Sequence, residues 1–435
     1  MELGGVATIV LAAGLSGLLL LWDWKRQQLN RKLPPGPTPL PLLGNMLQLR
    51  GWNLFKSLMA LRDKYGPVFT VHLGPRRVVV LCGHEAVQEA LVEHAEEFSG
   101  RGRMPTLDRI FHGYGLILAN GERWRQLRQF SGAALRSLGA GKHSLEERIA
   151  EEAQCLVEEF SKSEGAPFDP SRLISHAVGN VISALTFGDR FDYQDLTFLN
   201  LLDTIKGLFS ELSSRWTQEK QNPQSEFHTK NLVLSTVHLF FGGTEMVSAT
   251  LRCGFLLLMK HPEVQGKVQE EIDRVVGRSR SPSMQDRQWM PYTQAVIHEV
   301  QRLCNVVPLG IPHAVIRDTR FRGYLLPKGT DVFCVLGSAL QDPAYFSAPE
   351  RFDPGHFLDE TGSFKKNPTF VAFSSGKRVC LGEGLARTQL FLVFTAVLQR
   401  FTLTSPGDPQ EIDLDPQVSG YWNIPPMYQV CACPR

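Results

Sequence analysis

From Glu85 to Ala386 the apolar residues of this chain recur mainly at the spacing of amphipathic helices. Ser144–Phe160, Phe198–Trp216, Asn231–Lys260 and Pro262–Val276 each read as a helix. Strand signals are confined to the margins. Gly66–Gly83 reads as two strands around the Gly74-Pro75 turn, a second patch runs from Arg320 to Val335, and a third lies near the C-terminus. No internal repeat or low-complexity tract breaks the pattern. The expected architecture is one large, mainly α domain with small β-sheets. With 435 residues the chain is long enough to bury a large core and a cofactor.

The first residues have a different character. Gly4–Trp22 carries no charge and is just long enough to span a bilayer. Lys25, Arg26, Arg31 and Lys32 follow it, while only Glu2 precedes it. Basic flanks stay cytoplasmic, so the stretch reads as a retained anchor whose N-terminus faces the lumen. Five prolines between Pro34 and Pro41 then stiffen the chain into an extended spacer. The expected divisions are an anchor at 1–24, a basic and proline-rich linker at 25–45, and a catalytic domain at 46–435.

A net charge of +2 gives no basic excess of the kind nucleic acid attracts. Eight cysteines form no C-x-x-C pair and no dense secreted framework, so most read as buried thiols in a reducing compartment.

One cysteine stands apart. In "FSSGKRVCLGEG", Phe373–Gly384, Cys380 lies among Gly376, Gly382 and Gly384, just ahead of a long apolar helix. Glycine at these places lets the backbone pass close to something flat or bulky. A helix N-terminus with Lys377 and Arg378 nearby favours a thiolate, so the thiol is expected to ionise readily. No second thiol or histidine stands at zinc-site spacing. The residues alone admit a metal-ligating thiolate, a buried structural thiol or a nucleophile.

The run Phe373-x-x-Gly376-x-Arg378-x-Cys380-x-Gly382 resembles the haem-binding signature of cytochrome P-450, and the resemblance covers essentially the whole chain. It is strongest to the microsomal family-two branch. The resemblance implies the cytochrome P-450 fold with an N-terminal transmembrane anchor. It makes Cys380 the proximal ligand of haem b, where a thiolate favours O–O cleavage. In "HEVQR", Glu299 and Arg302 resemble the family's paired Glu and Arg, one helical turn apart. Their usual third partner is an arginine in a PERF-like motif. Pro349–Phe352 is the literal match with Arg351, but spacing to Cys380 favours "PGHF", Pro354–Phe357, and puts His356 in that role. Trp124 and Arg128 in "WRQLR", Arg101, His313 and Arg378 match the family's contacts to the haem propionates, which guanidinium groups pair with well.

"FFGGTEMVSAT", Phe240–Thr250, resembles the oxygen side. Gly242 and Gly243 match the glycines that let the helix approach oxygen, and Thr244 and Glu245 match the motif around its acid. The next position holds Met246 where the family has a threonine that helps deliver protons, and methionine has no hydroxyl to donate. Thr244 and Ser248 are two positions away and project elsewhere around a helix. The resemblance predicts leakage of reducing equivalents to hydrogen peroxide. Phe111 (in the run 111–118), Phe240, Gly243, Val307, Leu309, Ile311 and Trp422 fall where the family contacts substrate, and most are apolar.

A second departure follows Trp216. "LFSELSSRW" runs directly into "TQEKQNPQSEF", where the family has several tens of residues that roof the pocket. The lid segment reads as an internal deletion of the kind a skipped exon leaves, or as a shorter natural roof. Its loss is expected to admit water and expose apolar surface.

The resemblance implies a membrane-anchored monooxygenase that inserts one atom of O2 into a lipophilic small molecule of xenobiotic, fatty-acid or steroid type. NADPH supplies electrons indirectly, through NADPH–cytochrome P-450 reductase, with cytochrome b5 as a further donor. No G-x-G-x-x-G fingerprint on a strand–helix unit argues for a built-in dinucleotide site. Arg123, Arg125, Lys377 and Arg387 are the expected docking face for the reductase. The expected setting is the endoplasmic reticulum membrane, a single pass, and a catalytic domain in the cytosol, with no nucleic acid partner. Two other readings stay open: a peroxide-driven haem-thiolate enzyme, and an impaired, non-enzymatic splice-type product.

Overall fold

The computed structural model describes residues 33–49, 54–139, 145–211 and 229–435, together with Gly14. The anchor and the join after Trp216 lie outside the described residues, as do the first residues of the linker. Helices dominate, at Gly121–Gly139, Leu145–Ser161, Ser171–Thr186, Leu196–Glu211, Thr229–Lys260, Pro262–Val275, Pro291–Cys304 and Glu383–Arg400. The four helices expected from periodicity appear within two residues at each described end, while Ser144 and the last residues of Phe198–Trp216 lie outside the described residues.

The Thr229–Lys260 helix runs through the molecule and packs on Ser171–Thr186, Pro291–Cys304 and Glu383–Arg400. Among the described residues, Lys230–Lys260 is the one stretch long and apolar enough to cross a membrane. Its contacts put it inside the bundle. Glu383–Arg400 is buried on nearly every side from Gln389 to Gln399, as expected for a helix with little amphipathicity. Phe255 and Phe394 stack between these two helices with centroids 5.8 Å apart.

One five-stranded sheet sits beside the bundle. Its order is Val68–Leu73, Arg76–Leu81, Asp331–Cys334, His313–Ala314 and Gly100–Arg101. Arg76–Leu81 and Asp331–Cys334 run parallel, and the other neighbours are antiparallel. The register sets Arg101 directly opposite His313. A Cβ on Gly100 would lie 2.6 Å from the Ala314 carbonyl, so only glycine permits that pairing. The proline-rich stretch lies along the first strand: Thr70 donates through N to Pro35 O (2.7 Å) and through Oγ1 to Pro34 O (2.8 Å).

The cysteines depart from expectation at one pair. Cys253 and Cys304 are joined as a disulfide between the long central helix and Pro291–Cys304, with Cα atoms 6.3 Å apart. Fifty-one residues separate them, and sequence spacing carried no sign of the pairing. Cys82, Cys155, Cys334, Cys380, Cys431 and Cys433 remain free thiols.

Candidate haem-thiolate site

Pro291 starts the helix that carries Glu299 and Arg302, and Asn305 ends it in the left-handed conformation (φ 43°). Both side chains are fully buried. Arg302 reaches Glu299 through Nε to Oε2 and Nη2 to Oε1, each at 2.7 Å. Its remaining donors serve the carbonyls of Leu340, Pro349 and Arg351, and its guanidinium lies 5.0 Å from the Phe346 ring. Glu299 Oε1 also accepts from His356 Nδ1 (3.2 Å) and the Asp353 amide (2.9 Å). The third side chain on Glu299 is therefore His356, while Arg351 contributes its carbonyl. Burial pushes the Glu299 carboxyl up, but Arg302 and His356 outweigh it and hold it below its ordinary range. Glu299 in turn raises the His356 imidazole.

The cysteine loop is tied at three places. The Cys380 amide donates to Phe373 O at 2.9 Å. Gly376 has φ 69°, and a Cβ there would strike the Leu91 carbonyl at 1.6 Å. That glycine is required by the protein's own backbone, where the sequence suggested room for a bulky group. Arg128 Nη2 donates to Val379 O at 2.8 Å. Gly382 precedes the Glu383–Arg400 helix, and its nearest neighbour on the Cβ side is Cys380 Sγ at 4.0 Å.

Cys380 is exposed as a residue, while its thiol is crowded by surrounding protein atoms. The expectation that it ionises readily is overturned. Desolvation raises its pKa, Glu383 adds to the rise, and the Gly382 amide and Arg128 only partly offset them. Lys377 and Arg378 face elsewhere, Lys377 to Glu96 (2.6 Å) and Arg378 to Ser99 O (2.8 Å) and Ala119 O (2.9 Å).

Three arginines converge nearby. Arg378 is buried, lies 3.9 Å from the Trp124 ring and leaves Nη1 without a partner. Arg101 donates through Nε to Ile117 O (3.0 Å), and its Nη1 lies 3.4 Å from His313 Nε2. His313 Nδ1 meets Phe98 O at 2.7 Å. Asn120, which sequence reasoning missed, accepts from both the Arg101 amide and Arg378. Desolvation and mutual repulsion lower Arg378 to about 8 and Arg101 to about 10, and burial holds His313 near 3. Among the described residues no carboxylate pairs with Arg101, Arg128 or Arg378. A buried guanidinium with an unmet donor, in a cationic cluster near the exposed Cys380, fits a group that carries acidic arms and a metal able to take one thiolate. No group of three or more His, Cys, Asp or Glu gathers among the described residues to hold a metal in another way.

On the oxygen side the glycines serve different purposes. A Cβ on Gly243 would meet Ile182 Cδ1 at 2.4 Å, so glycine there admits the Ser171–Thr186 helix. Gly242 has nothing within 4 Å on that side. Thr244 and Ser248 are buried, and neither hydroxyl has a partner. The Met246 carbonyl accepts from Thr250 Oγ1 at 2.8 Å. Glu245 lies on the same helix, partly buried.

The residues expected around substrate separate into groups. Phe111, Ile311 and Trp422 share an apolar cluster with Met104, Leu107 and Leu118. Phe240 instead packs with Ile182, Leu185 and Leu201, and Leu309 with the sheet-side core around Phe69 and Phe333. Val307 is half-buried, and its carbonyl accepts the Gly310 amide. Phe241, not Phe240, faces Trp422, with centroids 5.7 Å apart. His238 was also missed. Its Nδ1 accepts from the Ile117 amide at 3.1 Å, and its ring lies 4.3 Å from that of Phe111. Burial lowers its pKa to about 3. Leu234, Val237, His238 and Phe241 stand at i, i+3, i+4 and i+7, a stripe that was available in the sequence.

The expected docking cations are engaged. Arg125 lies near Glu96 (3.5 Å) and Glu122 (3.4 Å), Lys377 also pairs with Glu96, and Arg123 lies 4.0 Å from the Tyr114 ring. Arg387 pairs with Glu383 at 2.9 Å.

A family profile described as Cytochrome P450 matches residues 34–219 and 214–432, in two segments that meet at 214–219. The chain is 53% identical to Cytochrome P450 2G1 of Oryctolagus cuniculus, over 494 positions covering all of both chains. Since this chain has 435 residues, about 59 of those positions have no counterpart in it. It is 48% identical to Cytochrome P450 2A13 of Homo sapiens (99% of each) and 49% identical to Cytochrome P450 2B4 of Oryctolagus cuniculus (97% of this chain, 98% of that one).

Proposed function

The chain belongs to the cytochrome P450 family of haem-thiolate monooxygenases, and from that premise we propose that it inserts one atom of O2 into lipophilic small molecules, using electrons relayed from NADPH by a membrane-bound reductase. The observation that carries this reading is the exposed Cys380 beside the Arg101–Arg128–Arg378 cluster, with which no carboxylate pairs among the described residues. Bound haem supplies the oxygen-activating redox chemistry.

The protein's own residues divide the remaining work. Cys380 would supply the single protein ligand to the haem iron, as a thiolate. Arg101, Arg128 and Arg378 would pair with the propionates of bound haem, and the Trp124 ring covers Arg378. Glu299, Arg302 and His356 hold the segment ahead of the loop. The apolar cluster of Phe111, Ile311 and Trp422, which Phe241 joins through Trp422, would favour apolar substrates, with His238 as its neutral polar group. Protons must arrive without a hydroxyl at position 246. Thr244 and Ser248, two positions away, are buried with unmet hydroxyls but project elsewhere around the helix.

The apolar run 4–22 and the basic residues after it support a membrane anchor, and in this reading the enzyme sits on the endoplasmic reticulum with its catalytic domain in the cytosol. Cytochrome b5 is a second electron donor in this reading. The two-part family match, and the positions without counterpart, support an internal deletion of the lid near 216–217. The expected consequence is poorly coupled turnover.

The test is oxidation of a lipophilic probe such as 7-ethoxycoumarin by membranes carrying the chain, with NADPH and added reductase. Product that depends on both supports the proposal. Product with cumene hydroperoxide alone favours the peroxide-driven reading, for which Met246 is the specific argument. Absence of both, with no haem retained, favours the non-enzymatic product.

A further inference from the structure

Arg387 reads in sequence as a surface cation for a partner, yet its side chain is fully committed. Nε and Nη2 each lie 2.9 Å from Glu383 Oε1, and Nη1 lies 2.8 Å from His298 Nε2. The guanidinium rests 5.0 Å from the Phe373 ring and 5.7 Å from that of Phe370. Phe373 is the residue whose carbonyl accepts the Cys380 amide.

His298 is equally specific. It is buried beside Glu299, in a cage of Phe357, Phe364 and Phe370 with centroids 5.4, 4.6 and 4.9 Å away. Its Nδ1 lies 2.7 Å from Gln294 O, which can only accept, so Nδ1 carries the proton. Nε2 is then a lone-pair acceptor facing a guanidinium that can only donate. Burial, with the charges of Arg387, Arg287 and Lys366, keeps the ring neutral, at about 3. An imidazole inside an aromatic cage has no apolar role that phenylalanine would not fill. Its two polar contacts are its reason for being there.

We infer that His298 and Arg387 are a positioning pair that connects the Glu299–Arg302 helix to Phe373 and so fixes the loop that presents Cys380. The pair is a second tie on that loop, independent of the Glu299–Arg302–His356 triad, and it removes Arg387 from the docking face. The inference rests on the haem-thiolate reading of Cys380.

Three full-length variants test it: Arg387→Gln, His298→Phe and His298→Gln. Phenylalanine fills the cage without an acceptor, whereas glutamine restores one. Hydrogen exchange across Phe373–Cys380 is read by mass spectrometry on haem-free and haem-loaded protein. The rate at which the red-shifted carbon monoxide Soret band is lost, and the reductase concentration giving half-maximal turnover, are read alongside. Arg387→Gln and His298→Phe are expected to raise exchange at the Cys380 amide about tenfold and to hasten loss of the band similarly, the scale of one lost charge-assisted hydrogen bond. His298→Gln should behave as the parent, and half-saturation by reductase should stay unchanged in all three. Equal exchange in His298→Phe and His298→Gln would overturn the pairing. Unchanged exchange in Arg387→Gln with a raised reductase requirement would return Arg387 to the docking face. A parent chain with no thiolate band would refute the reading of Cys380, while the exchange comparison would still decide the brace.

Discussion

Arg128 donates through Nη2 to the carbonyl of Val379, the residue before Cys380, at 2.8 Å. One guanidinium thereby holds the cysteine loop and places positive charge beside the sulfur. Desolvation lowers its pKa and Cys380 works against that lowering. Replacing Arg128 with glutamine should speed haem loss about tenfold, as expected for one charge-assisted bond. Arg128→Lys should fall between, since an ammonium keeps the charge and loses the fork. The haem-to-protein ratio after gel filtration, followed over time, checks this.

The triad makes a pH prediction of defined sign. His356 is raised above its ordinary value of about 6.5 by Glu299. Its contribution to stability is complete below that ordinary value and is lost as pH rises through the raised one. Glutamine at 356 stays neutral throughout. His356→Gln should be less stable than the parent by about 1 kcal/mol at pH 6, with the gap closing toward pH 9. Thermal melts across that range would show it. A gap that widened with pH would contradict the assignment.

The Cys253–Cys304 bond closes a loop of 51 residues between two core helices. The loop-entropy estimate for such a closure is about 4 kcal/mol. Reductant should lower the melting temperature of the parent by several degrees and leave that of Cys253→Ser plus Cys304→Ser unchanged.

In the proposed reading Met246 stands where the resemblance implies a hydroxyl, and the nearby hydroxyls of Thr244 and Ser248 have no partner. Met246→Thr should cut hydrogen peroxide formed per NADPH severalfold. An unchanged peroxide yield would contradict the role given to Met246.

His238 ties the 115–118 helix to the central helix through the Ile117 amide. His238→Phe strands that amide and should cost about 1–3 kcal/mol. Because burial holds the imidazole near 3, binding of a neutral substrate should be flat from pH 5 to 9.

Much of this architecture was legible because it is local. Helical periodicity gave the helices, and a one-turn spacing brought Glu299 to Arg302. The spacing of "PGHF" from the cysteine loop pointed to His356. What sequence could not supply was set by three-dimensional burial. Cys380 sits at a helix start near two cations, yet desolvation governs its acidity. Phe240 and Phe241 are adjacent and equally apolar, and only their angle around the helix sends one to the core and the other to Trp422. Gly243 resembles an oxygen-side glycine but is required by Ile182 from another helix. Arg387 looks like a surface charge until His298 and Glu383 are seen to hold it.

The central claim is that Cys380 binds haem as a thiolate in this chain. The most direct measurement is the carbon monoxide difference spectrum of dithionite-reduced membranes expressing it, beside Cys380→Ala. The account predicts a strongly red-shifted Soret band that vanishes in the variant. A band at the position of histidine- or thiol-ligated haem, or no band in the parent, would contradict it.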